Sequence, residues 1–237
     1  MKMNPIIQPR MLSGLAVARA RRSICLTVLF FLIIGPMANA EALSEADVKN
    51  LLARIRENRI TQANFQEQRI IRLMKKPVVN SGKVFFQPPN KFRREVKGSS
   101  PSVTVSDGQQ LWIYYPNFKS AERYSLGKRS PLDSVIASIN SALNLENIEN
   151  TFHITATRAG NGYELELTPR TASMKRAFQK LNLRINDNLQ AERTDMLLPN
   201  GDRIVTVYAS QTRAPIPAST FDFTPPPGTD ITTPLGR

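Results

Sequence analysis

The sequence predicts a mainly β protein of the α+β kind: one strongly curved antiparallel sheet of roughly ten strands with two or three helices laid against it. Three observations carry that expectation. Short segments of alternating apolar and polar residues follow one another along the chain, separated by Gly, Asn, Asp and Pro. Asp107-Gly108 stands between two of them, the strongest short-range signal for a hairpin. Only two stretches behind residue 40 have helical periodicity.

The first of these is "LSEADVKNLLARIREN", residues 43–58. Val48, Leu51, Leu52 and Ile55 recur at helical spacing, and Ser44 with Asp47 forms a variant capping box. Next, "ITQANFQEQRIIRLMKKP" reads as a long strand with Ala63, Phe65, Ile71 and Leu73 on one face. "SGKVFFQPP" and "KFRREV" read as two strands hinged at Pro88-Pro89, which cannot sit inside a central strand. In "SVTVSDGQQLWIYYP", Val103 and Val105 alternate with Ser and Thr. The outgoing strand is different: Leu111, Ile113 and Tyr115 fill one face and Trp112 and Tyr114 the other, so neither side suits water. One face is expected to lie under helices, the other under the N-terminal helix or a neighbouring loop.

"SAERYSL" is a further strand. In "SPLDSVIASINSAL" the period changes: Ser130 caps, Pro131 takes the first helical position, and Leu132, Val135, Ile136, Ile139 and Leu143 form one stripe. The opposite face holds Ser134, Ala137, Ser138 and Ser141 and no lysine or arginine, which suits a helix that lifts. "FHITATR", "YELELTP", "KLNLRIN", "LQAERTDML" and "DRIVTVYAS" continue the meander, and "STFDFTPPPGTDI" supplies a last short strand stopped by three prolines.

Residues 1–40 read as a cleaved signal peptide. Arg19, Arg21 and Arg22 precede the apolar run "ICLTVLFFLIIG", too short for a helix that stays in the bilayer, and Ala38-Asn39-Ala40 is a small-x-small cleavage site. Residues 41–237 then form a single domain with a real core. The chain's one cysteine, Cys25, leaves with the signal, so a disulfide-free protein of the cell envelope is expected. The net charge of +13 falls by five, because residues 1–40 hold five cations and no acid. A basic exported protein meets phospholipid headgroups and acidic protein surfaces; no basic-aromatic or zinc pattern supports nucleic acid.

The inventory for catalysis is thin. Behind residue 40 there is one histidine, His153, expected as a half-buried strand residue, and no cysteine, which excludes zinc and Cys-His chemistry. There is no phosphate loop and no nucleophile elbow. Glu164 and Glu166 alternate with apolar residues as on a solvated strand surface. No catalytic residue, metal or cofactor is therefore expected, and binding is. The 131–143 stripe would be one wall of a cavity and Val103, Val105, Leu111 and Ile113 the other; the same residues could equally form a solid core.

The stretches "ANFQEQ", "SGKVFFQPPNKFRREV", "VSDGQQLWIYYPNF", "YELELTPR" and "FDFTPPPGTDI", in this order, resemble the LolA-type periplasmic lipoprotein carriers of Gram-negative bacteria. The resemblance implies an incomplete β-barrel closed by a helical lid around a hydrophobic cavity. It implies acylated lipoproteins or other lipids as cargo, loading from an inner-membrane ABC-type release complex and unloading to an outer-membrane receptor. Phe65, Phe86 and Phe92 join the cavity set, with Phe92 and Arg93 as the partner-binding pair. Two positions depart from the family pattern. The basic residue usual before the proline is Pro88 here, and the aromatic often found two positions after Phe92 is Arg94, which makes the cavity less uniformly apolar. A carrier or sensor of another envelope lipid is the competing reading.

Overall fold

A computed structural model describes residues 41–126 and 148–234. Helix α1 (Glu45–Glu57) begins where the capping pattern places it: the Ser44 hydroxyl accepts from the Asp47 backbone N–H at 3.2 Å and donates to the Asp47 carboxylate at 2.6 Å. It ends at Asn58, whose backbone N–H and side-chain amide both bond the Arg54 carbonyl. Val48, Leu51, Leu52 and Ile55 are its buried stripe.

Among the described residues, twelve strands follow in one sheet: β1 (Gln62–Ile70), β2 (Val78–Gln87), β3 (Lys91–Lys97), β4 (Ser102–Ser106), β5 (Gln110–Tyr115), β6 (Ser120–Ser125), β7 (Phe152–Ala159), β8 (Gly162–Pro169), β9 (Lys180–Ile185), β10 (Ala191–Leu197), β11 (Arg203–Thr212) and β12 (Asp230–Thr232). Their order is β12-β6-β5-β4-β3-β2-β1-β11-β10-β9-β8-β7. β1 pairs with both β2 and β11, so the two meanders meet at β1 and the curled sheet stays open between β12 and β7. Every pairing is antiparallel except that of β12 with β6. Two short helices, α2 (Ile148–Thr151) and α3 (Ala172–Ala177), lie against β7 and β8.

The first strand is shorter than its apolar alternation suggests. Beyond Ile70 neither neighbour continues, and the chain turns: the Met74 N–H bonds the Ile71 carbonyl and the Arg72 N–H bonds the Asp202 carboxylate. Ile71 and Leu73 are therefore not core partners of Ala63 and Phe65, and Leu73 is exposed. The C-terminal stretch differs as well. Ala218–Phe221 is a single 3-10 turn, and the short strand comes after the prolines, at β12. Residues 131–143, expected as the second helix, lie outside the described residues.

The two turns at one end of β2–β5 are tied together. Pro88-Pro89 is a cis bond in the β2–β3 turn. Asn90, next in the chain, donates its side-chain amide to the Gly108 carbonyl, and its own carbonyl accepts from the Ser106 hydroxyl at 3.1 Å. Asp107 accepts from the backbone N–H groups of Gln109 and Gln110, both at 2.7 Å. Gly108 sits at φ +95°, where a side chain is strained, and a Cβ there would stand 2.5 Å from the Asn90 amide oxygen.

Candidate functional site

Cross-strand partners share a face, so the register assigns every side chain to one side of the sheet. The inner face is the one on which α1 packs. It carries two apolar clusters. Over β7–β10, Leu165, Leu167, Leu181, Leu183 and Ile185 meet the buried stripe of α1 together with Ile148 and Phe178. Over β1–β6, Ala63, Phe65, Val84, Phe86, Phe92, Val96, Leu111 and Tyr124 form the second cluster, with Ile113 and Tyr208 packed against it.

A polar row lies between them. Asn80 stands opposite Glu67, Glu67 opposite Thr206, and Thr206 opposite Thr194, on four consecutive strands β2, β1, β11 and β10. Asn80, Thr194 and Thr206 are buried, and Asn80 Oδ1 has no hydrogen-bond partner among the described residues. Arg94 reaches this row from β3. Its guanidinium lies 4.4 Å from the centroid of the Phe65 ring and pairs with the Glu67 carboxylate. Burial pushes the Tyr208 phenol up, opposed by a hydrogen bond with Thr194 and by the Arg94 charge. A second polar group lies at the β5–β6 end: the Tyr124 hydroxyl donates to Glu122, and burial with that bond holds Tyr124 well above the usual phenol range.

Four of the expected cavity residues, Phe65, Phe86, Phe92 and Leu111, are buried together in the β1–β6 cluster, and Ile113 lies against them. Val103 and Val105 are not on that wall. They pair with Tyr114 and Trp112, on the opposite face from Leu111 and Ile113. On that face the C-terminal segment covers Trp112 and Tyr114: the Phe223 ring lies 5.8 Å from both rings, and Phe221 is buried. Of the two covers expected, the N-terminal helix or a neighbouring loop, the helix is not the one: the C-terminal segment lies there, while α1 sits over β7–β10. Leu132, Val135, Ile136, Ile139 and Leu143 lie outside the described residues.

The pair Phe92 and Arg93 is split between faces, as neighbours in a strand must be. Phe92 is buried in the inner cluster, whereas Arg93 points outward, bonded to the Glu95 carboxylate at 2.7 Å and the Thr220 carbonyl at 3.2 Å. His153 is exposed rather than half-buried, with Arg170 Nη1 3.4 Å from its ring. Glu164 and Glu166 are ion-paired to Arg184 and Lys180 on the outer face, at 2.8 Å each. They border an open hollow of about 360 Å³ lined also by Thr155, Asn182 and Asp195, a polar surface with none of the expected apolar residues.

Sequence reasoning did not find the Glu67–Arg94 pair or the polar row, whose members are ordinary polar positions of separate strands. It also passed over Val84, although Val84 and Phe86 alternate within "GKVFFQ".

The family model described as outer membrane lipoprotein carrier protein LolA matches residues 58–224, a span that takes in β1 through the C-terminal segment over the hairpin. The chain is 27% identical over 180 residues to an outer-membrane lipoprotein carrier protein of Dechloromonas aromatica, covering 75% of this chain and 83% of that one. It is 23% identical over 208 residues to a protein of the same description from Coxiella burnetii, covering 86% and 93%. Among solved structures, a LolA superfamily protein from Nitrosomonas europaea aligns with TM-score 0.42 at 15% identity, covering 74% of this chain and 97% of that one. An uncharacterized conserved protein from Thermus thermophilus aligns with TM-score 0.49 at 15% identity, covering 79% and 99%. By the family match over most of its length, the chain belongs to the LolA family of outer-membrane lipoprotein carrier proteins.

Proposed function

We propose that the exported chain, residues 41–237 after cleavage behind Ala40, carries acylated lipoproteins across the periplasm with their acyl chains against the inner face of β1–β6. The observation that carries this reading is the one-sided apolar cluster of Phe65, Phe86, Phe92, Leu111 and Ile113 on an open sheet. Each methylene moved out of water contributes roughly 0.8 kcal/mol, so a sixteen-carbon chain exposed in the periplasm costs on the order of 10 kcal/mol. Shielding alone makes the crossing possible, and shielding needs no bond chemistry.

In this reading the stripe Leu132, Val135, Ile136, Ile139 and Leu143 is the lid over that face. An inner-membrane ABC-type release complex loads the carrier and an outer-membrane receptor unloads it. Phe92 then serves as an acyl contact. Arg93, beside the C-terminal segment on the other face, is the member of the pair that meets a partner.

The test incubates spheroplasts with the processed protein and follows newly made lipoproteins in the medium. Acylated lipoproteins should be released by the wild type and lost with Phe92→Glu and with Ile113→Glu, each checked for fold by circular dichroism. No release by folded wild type defeats the proposal. A second reading, a carrier or sensor of another lipid, is favoured by one feature: the Glu67–Arg94 pair makes the inner face less apolar than a sleeve for acyl chains alone requires. Native mass spectrometry of lipid bound to the protein distinguishes the two.

A further inference from the structure

The loop between β1 and β2, residues 71–77, reverses the usual distribution of side chains. Leu73 is 98% exposed and Met74 51%, with Ile70 and Val79 exposed on the flanking strands. Single apolar side chains in water are commonplace, but four within ten residues of a loop and its two flanking strand ends form a feature. Cations surround them: Arg69, Arg72, Lys75 and Lys76, all exposed. The loop is held outward rather than collapsed. Its turn is closed by Met74 N–H to the Ile71 carbonyl at 2.9 Å, and the Arg72 N–H is anchored to Asp202 at 2.9 Å.

Antiparallel strands bring other loops to the same end of the sheet. The end of β3 adds the exposed Lys97, and the β5–β6 turn adds Lys119 and Phe118, which is 79% exposed. The acids nearby are mostly engaged: Asp202 with Arg72 and Asn200, Asp195 with Arg203, Glu67 with Arg94; Asp230 is exposed. Among the described residues no ion pair takes up Lys75, Lys76, Lys97 or Lys119.

We propose that this end of the sheet docks on an anionic phospholipid surface, Leu73 and Met74 entering the headgroup boundary while the lysines meet the phosphates. An acidic protein would match the lysines but would need a fitted pocket for a protruding leucine-methionine tip. A bilayer interface accepts both without shape matching. Each lysine near such a surface strengthens binding about fivefold, which keeps the contact reversible. The inference is independent of cargo, since the loop lies outside the inner-face cluster.

The test uses protein purified from the periplasm after export, with wild type and variants sharing one N-terminus confirmed by mass. Each is sedimented with phosphatidylcholine vesicles with or without phosphatidylglycerol. Wild type should pellet with the anionic vesicles alone and be released by salt. Lys75→Glu/Lys76→Glu and Leu73→Ser/Met74→Ser should each weaken binding at least about tenfold, with unchanged thermal unfolding because the side chains are exposed. Absence of binding by folded wild type, equal binding to neutral vesicles, or unchanged binding by either double variant overturns the proposal. So does capture by a soluble polyanion without capture by vesicles.

Discussion

The Glu67–Arg94 pair allows the sharpest test of how the inner face is built. The two side chains are 13% and 27% exposed, and the Arg94 guanidinium also covers the Phe65 ring at 4.4 Å. Removing one member of a fully buried pair costs about 3–5 kcal/mol, whereas exposed pairs contribute about 0–1 kcal/mol. At this partial burial Arg94→Leu should cost about 2 kcal/mol, because it leaves the more buried carboxylate with only the half-exposed Arg69, at 4.0 Å, as a cationic partner. Glu67→Leu should cost about 1 kcal/mol, because the arginine keeps its ring contact and some water. The double variant Glu67→Leu/Arg94→Leu should return to within about 1 kcal/mol of wild type, since two leucines extend the neighbouring cluster. Urea unfolding of all four proteins, followed by the fluorescence of Trp112, the single tryptophan, gives the coupling energy. A coupling below about 0.5 kcal/mol would mean the pair is an incidental contact and would refute the account of the polar row.

Three further outcomes follow from local geometry. Phe223→Ala uncovers Trp112 and Tyr114, so it should destabilise the fold by roughly 2 kcal/mol and shift Trp112 emission to the red; an unmoved emission maximum counts against the C-terminal cover. Gly108→Ala forces a side chain onto φ +95° and toward Asn90, with an expected loss of about 1–3 kcal/mol by thermal unfolding. Finally, Tyr115, Tyr124 and Tyr208 all ionise above the usual phenol value in the fold, Tyr115 chiefly through burial. The folded state therefore holds protons that the unfolded chain has lost, and stability should fall as pH rises beyond about 10. Tyr124→Phe should flatten that decline, read from unfolding midpoints across alkaline pH.

How much of this was legible depended on whether the signal was local. Helix α1 was, because its cap, stripe and Asn58 stop all lie within one stretch. The hairpin was too, but its faces were not. Which side Val103 and Val105 take is set by the number of residues in the turn, and one residue more or less moves them to the other face. The observed pairs, Val103 with Tyr114 and Val105 with Trp112, could not be told from the alternative by hydrophobicity, since both faces of β5 are apolar. The cover over Trp112 was out of reach for a different reason: Phe221 and Phe223 lie more than a hundred residues away and carry no periodicity that names a partner. Ile71 and Leu73 misled because alternation persists past the point where the neighbouring strands end.

The polar row gives the inner face a boundary that a uniform apolar wall would lack. On one side α1 fills the space over β7–β10 with Leu51, Leu52 and Ile55, a packed core. On the other, the cluster of Phe65, Phe86 and Phe92 ends against Glu67, Thr206 and Thr194. An acyl chain that advanced across this row would have to separate or further desolvate the Glu67–Arg94 pair, at a cost of about 1–3 kcal/mol for each group left unpaired. That cost is comparable to what the next few methylenes contribute at roughly 0.8 kcal/mol each, so further advance gains little. On the carrier reading proposed above, the row would limit how deep a chain settles, and with it the affinity. A carrier has to give its cargo up as readily as it takes it, so a site with a polar stop is better suited to exchange than a deeper one. The Glu67→Leu/Arg94→Leu protein removes the charged part of that stop: it should retain bound lipid longer than wild type in a transfer assay to acceptor vesicles, and equal or faster transfer would show that the row does not set the depth.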